Sequence, residues 1–315
     1  MVALGGAAIL PTAARADVLE HIESLVAKAQ KKRIDPSKVV LLSDIHICGE
    51  LNNGKSIHYP YNPTSLQLRI EEILSMRPLP ANVIVFGDVA WDYGLEEDYR
   101  YAAELLRPLE DAGIKITLAM GNHDRREAFF KVFPQYVASS PVEGRVVSVV
   151  ELPDVDIVML DSLSELPNLK PRQATNVNGE VDSAQIEWLK SYLLSKGERS
   201  VLLGAHHPLK ELPALESLIA SSPNVKGYIF GHVHYWSKLA HIIRPRQGLH
   251  MVPTVSLPAT FYGDIGMAVM SVSATGAKIQ YSSKGFWWPQ PSDNPPAEWK
   301  RRADDLQNEE TNILF

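Results

Sequence analysis

The chain has 315 residues, 45% hydrophobic and 22% charged, with 37 acidic against 31 basic side chains and a formal net charge of −6. That composition supports a sizeable core and excludes a disordered or fibrous chain. The acidic balance, without a long Lys/Arg run, lacks the footprint of a nucleic-acid binder, and a single cysteine, Cys48, excludes an intramolecular disulfide and a cysteine-rich metal site.

From Leu4 to Leu10 the residues are small and apolar, and Ala14-Arg15-Ala16 has the small-x-small form of a cleavage site. Residues 1–16 therefore read as an export-signal remnant, too short to span a bilayer, which predicts a periplasmic or extracellular bacterial protein. The alternative is an alanine-rich start on a cytoplasmic protein. Asp17 is placed to cap a helix carrying Val18, Ile22, Leu25 and Ala29 on one face. Val39–Leu42 reads as a buried strand, Pro63-Thr64-Ser65 starts a helix, and Val83–Phe86 is a second strand. A helix from Leu95 to Leu106 and a strand from Ile114 to Ala119 follow.

The later chain is richer in strands, at Val146–Val150, Val155–Leu160, Val201–Leu203 and Gly227–Phe230, with a helix capped by Asp182 between them. Met251–Leu257, Gly266–Ser273 and Ala277–Ser282 read as a closing antiparallel set. The alternation predicts an α/β core with loops leaving the strand ends. Residues 17–285 form one expected domain. The Pro-rich and then charged residues 286–315 read as a tail packing on that domain or on a partner subunit, which leaves room for a homo-oligomer.

Five of the apolar runs stop at residues able to ligate metal: Asp44-Ile-His46, Asp88, Asn122-His123-Asp124, His206-His207 and His232-Val-His234. In an extended segment residues i and i+2 point to the same face, so Asp44 with His46, and His232 with His234, can converge. Imidazole and carboxylate donors without thiolate suit Zn, Fe or Mn. Each block alone has an ordinary alternative, such as a turn at Gly87-Asp88 or a loop at His206-His207-Pro208. All five in this order, each after a strand, point to a metal site.

The series Asp44-x-His46, Gly87-Asp88, Gly121-Asn122-His123-Asp124, His206 and Gly231-His232-x-His234 resembles the calcineurin-like metallophosphoesterase superfamily across residues 38 to 260. The resemblance implies a four-layer α-β-β-α sandwich of two mixed sheets flanked by helices. It also implies two divalent ions (Mn, Fe, Zn or Co). Asp44, His46 and His234 would hold one, Asn122, His206 and His232 the other, with Asp88 bridging. Gly121–Arg126, Val181–Leu189 and His206-His207-Pro208 further resemble the bacterial cyclic-nucleotide and glycerophosphodiester phosphodiesterase branch. Trp91 occupies the position, three after the bridging aspartate, where purple acid phosphatases carry a tyrosine ligand.

The implied chemistry is hydrolysis of a small phosphodiester by in-line attack of a metal-bound hydroxide. A phosphomonoesterase is the alternative; a nuclease and a non-catalytic scaffold are disfavoured. By its motif His123 is the expected general acid, with Asp124 orienting it or capping a helix. His58 and Tyr61, in the loop from Cys48 to Pro63, are candidate substrate contacts. So are Arg125, which could instead pair with Glu127, and His207, which could instead stand behind the ligands. Cys48 reads as a small apolar residue near the site.

Overall fold

The computed structural model describes residues 12–52, 55–56, 62–170, 172–243, 250–287 and 309–315. In chain order its first half holds α1 (Thr12–Ala29), β1 (Ile34–Leu42), β2 (Leu51–Asn52), β3 (Lys55–Ser56), α2 (Asn62–Ser75), β4 (Leu79–Val85), α3 (Glu96–Asp111), β5 (Lys115–Leu118), α4 (Arg126–Val132) and α5 (Pro134–Ser139). The second half adds β6 (Ser148–Glu151), β7 (Val155–Met159), α6 (Ser183–Lys196), β8 (Ser200–Ala205), α7 (Pro213–Ile219) and β9 (Val225–Phe230). It closes with β10 (Ser237–Ile243), β11 (His250–Ser256), β12 (Gly263–Ser273), β13 (Gly276–Trp287) and β14 (Glu310–Leu314).

In β1 successive side chains part to opposite faces: Val39 and Leu41 enter one core, Val40 and Leu42 another. Only Val39–Leu42 is covered on both faces, and that stretch of β1 is continuously apolar. The sheet runs β14-β13-β12-β1-β4-β5, and a second runs β10-β11-β9-β8-β7-β6. Both are mixed: β1, β4 and β5 are parallel, as are β7, β8, β9 and β11, while the remaining neighbours are antiparallel. Leu41, Ile84, Ile229, Leu202, Met270 and Ile279 fill the space between the sheets. Helices α1 to α5 cover the first sheet around Ile70, Leu106 and Phe129. Helices α6 and α7 cover the second around Leu189 and Leu215. Helix, sheet, sheet, helix is the layer order that the resemblance implied.

Several local expectations are corrected. Helix α1 begins at Thr12, so Asp17 lies inside it rather than at its cap, because Thr-Ala-Ala-Arg-Ala carries no helix breaker. Asp182 does cap α6, accepting the Gln185 N–H at 3.0 Å. The closing strands do not form one set: β11 belongs to the second sheet beside β9, while β12 and β13 belong to the first. Residues 310–314 pair with β13 as an edge strand; residues 288–308 lie outside the described residues. Among the described residues no helix is long and apolar enough to cross a membrane.

Candidate metal centre

Strands β1, β4 and β5 of one sheet and β8 and β9 of the other bring their carboxyl ends to one place, the usual location of sites in open α/β sheets. The loops leaving β1 and β4 run side by side: Asp44 N–H donates to Gly87 O at 3.2 Å, His46 N–H to Asp88 O at 2.9 Å and Ile47 N–H to Val89 O at 2.9 Å. Gly231 N–H joins the second sheet's loops by donating to His206 O at 3.0 Å. A Cβ on Gly231 would stand 1.9 Å from Ser43 Oγ and 2.8 Å from Asp44 Oδ2. Glycine there is what allows the two sheets' loops to meet.

Seven non-glycine residues among those described have positive φ, and five of them are Asp44, His46, Asp88, His232 and His234. Left-handed backbone costs an L-residue about 1 kcal/mol or more. Its concentration at these five is strain tolerated where side chains must converge.

The side chains do converge. His234 Nε2 is 3.1 Å from Asp44 Oδ1, and His46 Nε2 is 4.0 Å from that oxygen and 3.7 Å from Asp88 Oδ2. On the other side His206 Nε2 is 3.1 Å from Asp88 Oδ2 and 3.1 Å from Asn122 Oδ1. His232 meets the His206 ring edge to face, 5.1 Å between centroids, and its backbone N–H donates to Asp44 Oδ2 at 3.2 Å. Asp44, His46, Asp88 and His234 thus form one group of potential ligand atoms, and His206, His207 and His232 another. The seven predicted ligands lie together, Asn122 beside the second group.

The residues fit a cation. Ligand atoms about 2.0–2.2 Å from one metal stand roughly 3–3.5 Å apart, and the contacts here, from 3.1 to 4.0 Å, lie at or just beyond that spacing. Asp44 Oδ1 is buried and accepts no hydrogen bond among the described residues. Burial pushes the Asp44 and Asp88 carboxyls up, yet the surrounding histidines outweigh it and hold both below the ordinary carboxylate range. Burial pulls His46 down to about 3 and His232 down to about 4, leaving neutral imidazoles. His206 moves the other way: burial opposes its charge, but Asp88 and Asp44 push it up to about 9. A proton on His206 offsets only part of the charge of two buried carboxylates, and a divalent ion would supply the balance. The imidazoles are also preset: His206 Nδ1 donates to Phe86 O at 2.7 Å and His46 Nδ1 to Trp91 O at 3.3 Å, turning each Nε2 inward.

His123 stands 30% exposed at the rim, its ring 4.9 Å from that of His46. Its Nδ1 faces Asp92 Oδ1 at 3.4 Å. Burial lowers its pKa, but Asp88 and then Asp92 outweigh this and raise it to about 9. Asp124 is not its partner, nor a helix cap. That carboxylate is fully buried and accepts the N–H groups of Val89, Ala90 and Gly121 at 3.2, 3.0 and 2.8 Å and the Tyr99 hydroxyl at 3.1 Å. It fastens the Asp88 loop to the Asn122 loop. Sequence reasoning missed Asp92, which lies four residues past Asp88 and outside the Gly87-Asp88 block.

Other expectations change too. Arg125 does not pair with Glu127, which pairs with Lys131; its guanidinium donates to the carbonyls of Lys170 and Gln173 at 2.8 and 2.5 Å. That places Arg125 as a brace for the 170–173 loop rather than as a phosphate contact. His207 is fully buried behind His206 and His232, with Nδ1 2.8 Å from Ser162 Oγ, so it faces no substrate. Cys48 is buried, its Sγ donating to Glu50 O at 3.6 Å. His58 and Tyr61 lie outside the described residues. Sequence reasoning missed Thr260, whose hydroxyl donates to Asp44 O at 3.1 Å, and Thr175, whose hydroxyl donates to Asn122 O. Neither sits in a motif.

Residues 37–236 match the calcineurin-like phosphoesterase family. The chain is 30% identical to a probable cyclic nucleotide phosphodiesterase of Rhodopseudomonas palustris over 67% of its own length and 73% of the relative's. It is 26% identical to a 3′,5′-cyclic adenosine monophosphate phosphodiesterase of Pseudomonas aeruginosa, covering 62% of this chain and 69% of that one. A probable glycerophosphodiester phosphodiesterase of Arcobacter nitrofigilis is also 26% identical, over 64% of this chain and 75% of its own.

Proposed function

We propose that this chain, which belongs to the calcineurin-like phosphoesterase family and is a metal-dependent phosphoric ester hydrolase, uses two divalent cations to hydrolyse small phosphodiesters. The observation that supports two cations rather than one is the position of Asp88. Its Oδ2 lies 3.7 Å from His46 Nε2 in one ligand group and 3.1 Å from His206 Nε2 at the other. A carboxylate between two imidazole sets is the bridge that two-metal sites 3.5–4 Å apart require. Asp44, His46 and His234 complete one set, and Asn122, His206 and His232 the other. Bound there, Mn, Fe, Zn or Co would neutralise phosphate charge and acidify water.

The chain's own residues then position the ester. His123, aimed by Asp92, stands at the rim as the donor to the leaving oxygen. Asp124, Thr260 and Thr175 fix the three loops that carry Asp88, Asp44 and Asn122. Cyclic nucleotides and glycerophosphodiesters are the substrate classes that the relatives' names support.

Protein loaded with Mn²⁺ should be assayed on bis(p-nitrophenyl) phosphate, p-nitrophenyl phosphate, cyclic AMP and a glycerophosphodiester, with elemental analysis alongside. Diester rates above the monoester rate and about two metals per chain are expected. Faster monoester turnover would make the protein a phosphatase. No turnover in a metal-loaded preparation would make it a scaffold.

A further inference from the structure

The loop that follows β11 reaches back over the site. Besides the Thr260 bond to Asp44, Asp264 N–H donates to His234 O at 2.8 Å while the Asp264 carboxylate accepts Trp236 N–H at 2.7 Å. Gly263 makes the approach possible: its φ is +79°, and a Cβ there would stand 2.2 Å from the His234 carbonyl oxygen. Residues 260–264 are therefore held against both the Asp44 and the His234 loops.

Held this way, Tyr262 lies with its ring centroid 3.9 Å from that of His234 and its hydroxyl 3.4 Å from His46 Nε2. Phe261 is buried beside it, 4.5 Å away ring to ring, whereas Tyr262 is only half-buried. Because His46 Nδ1 donates to the Trp91 carbonyl, the atom beside the Tyr262 hydroxyl is the lone pair offered to a cation. A cation taking that lone pair would convert the hydroxyl from a donor to imidazole into a donor beside whatever the cation binds.

We propose that Tyr262 is a substrate-binding residue whose hydroxyl donates a hydrogen bond to a non-bridging oxygen of the phosphate ester. The assignment rests on the phosphodiesterase reading above. A neutral donor on an anionic oxygen forms the stronger, charge-assisted kind of hydrogen bond. Its place on a clamped loop means that little order is lost when substrate arrives.

The test compares wild type with Tyr262→Phe, which keeps the ring against His234, both loaded with Co²⁺. Cobalt content and visible absorption report the cations, calorimetry with inorganic phosphate reports anion binding, and bis(p-nitrophenyl) phosphate reports turnover. Tyr262→Phe should match wild type in cobalt content and spectrum, yet bind phosphate and turn over the diester (kcat/KM) about 10-fold or more worse. Unchanged phosphate affinity in the cobalt-loaded variant would overturn the assignment. So would loss of cobalt, which would make the hydroxyl part of the cation's own surroundings. Wild type that took up neither cobalt nor phosphate would instead bring down the phosphodiesterase reading, and Tyr262 with it.

Discussion

Asp88 Oδ2 and His206 Nε2 meet at 3.1 Å although one residue follows β4 of the first sheet and the other follows β8 of the second. The contact closes the seam between the sheets at their carboxyl ends. Any change that separates the two sheets' loops must therefore reach the site.

Asp88→Ala removes the group shared by both ligand sets. Each set then loses a carboxylate, so metal content should fall from about two per chain to below one. Asn122→Ala touches only the second set and should leave about one. Elemental analysis after dialysis checks both. Equal, full occupancy in Asp88→Ala would break the bridging assignment.

His123 and Asp92 should separate chemistry from metal binding. His123→Ala is expected to keep its metals and lose turnover on the order of 10²-fold or more. Asp92→Asn leaves the imidazole in place but removes the charge aiming it, and should cost roughly 10-fold in kcat. Asp124→Asn disturbs backbone contacts instead and should lower stability as well as rate. A kinetic comparison with denaturant unfolding distinguishes these. Asp92→Asn at wild-type kcat would remove Asp92 from the site.

The candidate ligands were legible because each block follows an apolar strand. The extended two-residue spacing expected for Asp44 with His46, and for His232 with His234, does not hold, since all four have left-handed backbone just past the strand ends. The runs themselves pointed only to an α/β core; the layer order came from the family resemblance that the ligand blocks carry. What the sequence could not show depends on distant partners. Nothing local in Met251–Leu257 says that it pairs with β9 rather than β12. Asp124 adjoins His123 in the chain, yet its turn aims it into the protein at Val89 and Ala90, leaving His123 to Asp92. Tyr262 lies far along the chain from His46 and carries no motif; only the clamp of Thr260 and Asp264 brings them together.

Gly231→Ala tests the seam directly. The added methyl would meet Ser43 Oγ at 1.9 Å and Asp44 Oδ2 at 2.8 Å, and Phe86 O lies 3.1 Å away, so the β1 loop must shift. Overpacking of this kind costs typically about 1–3 kcal/mol. Urea unfolding should show that loss, with reduced metal affinity, because Asp44 cannot hold its position. A variant as stable and metal-replete as wild type would mean that the loops yield freely.

Far from the site, Asp156 on β7 is buried with three donors around it: Tyr192 OH at 2.7 Å, Arg199 Nε at 2.9 Å and Lys196 Nζ at 3.0 Å. Burial pushes its pKa up, but hydrogen bonds from Arg199, Tyr192 and Lys196 outweigh this and hold the carboxyl below its ordinary 3.8. A carboxyl with a depressed folded-state pKa contributes stability above its unfolded value and loses it as pH falls through the folded value. Asp156→Asn should therefore be less stable than wild type at pH 7 by about 1–3 kcal/mol. The gap should hold down to the ordinary value and narrow below it, where wild-type Asp156 takes up its proton. Urea midpoints across acid pH check this. A gap that stays constant through the acid range would show that the charge of Asp156 adds nothing to its hydrogen bonds.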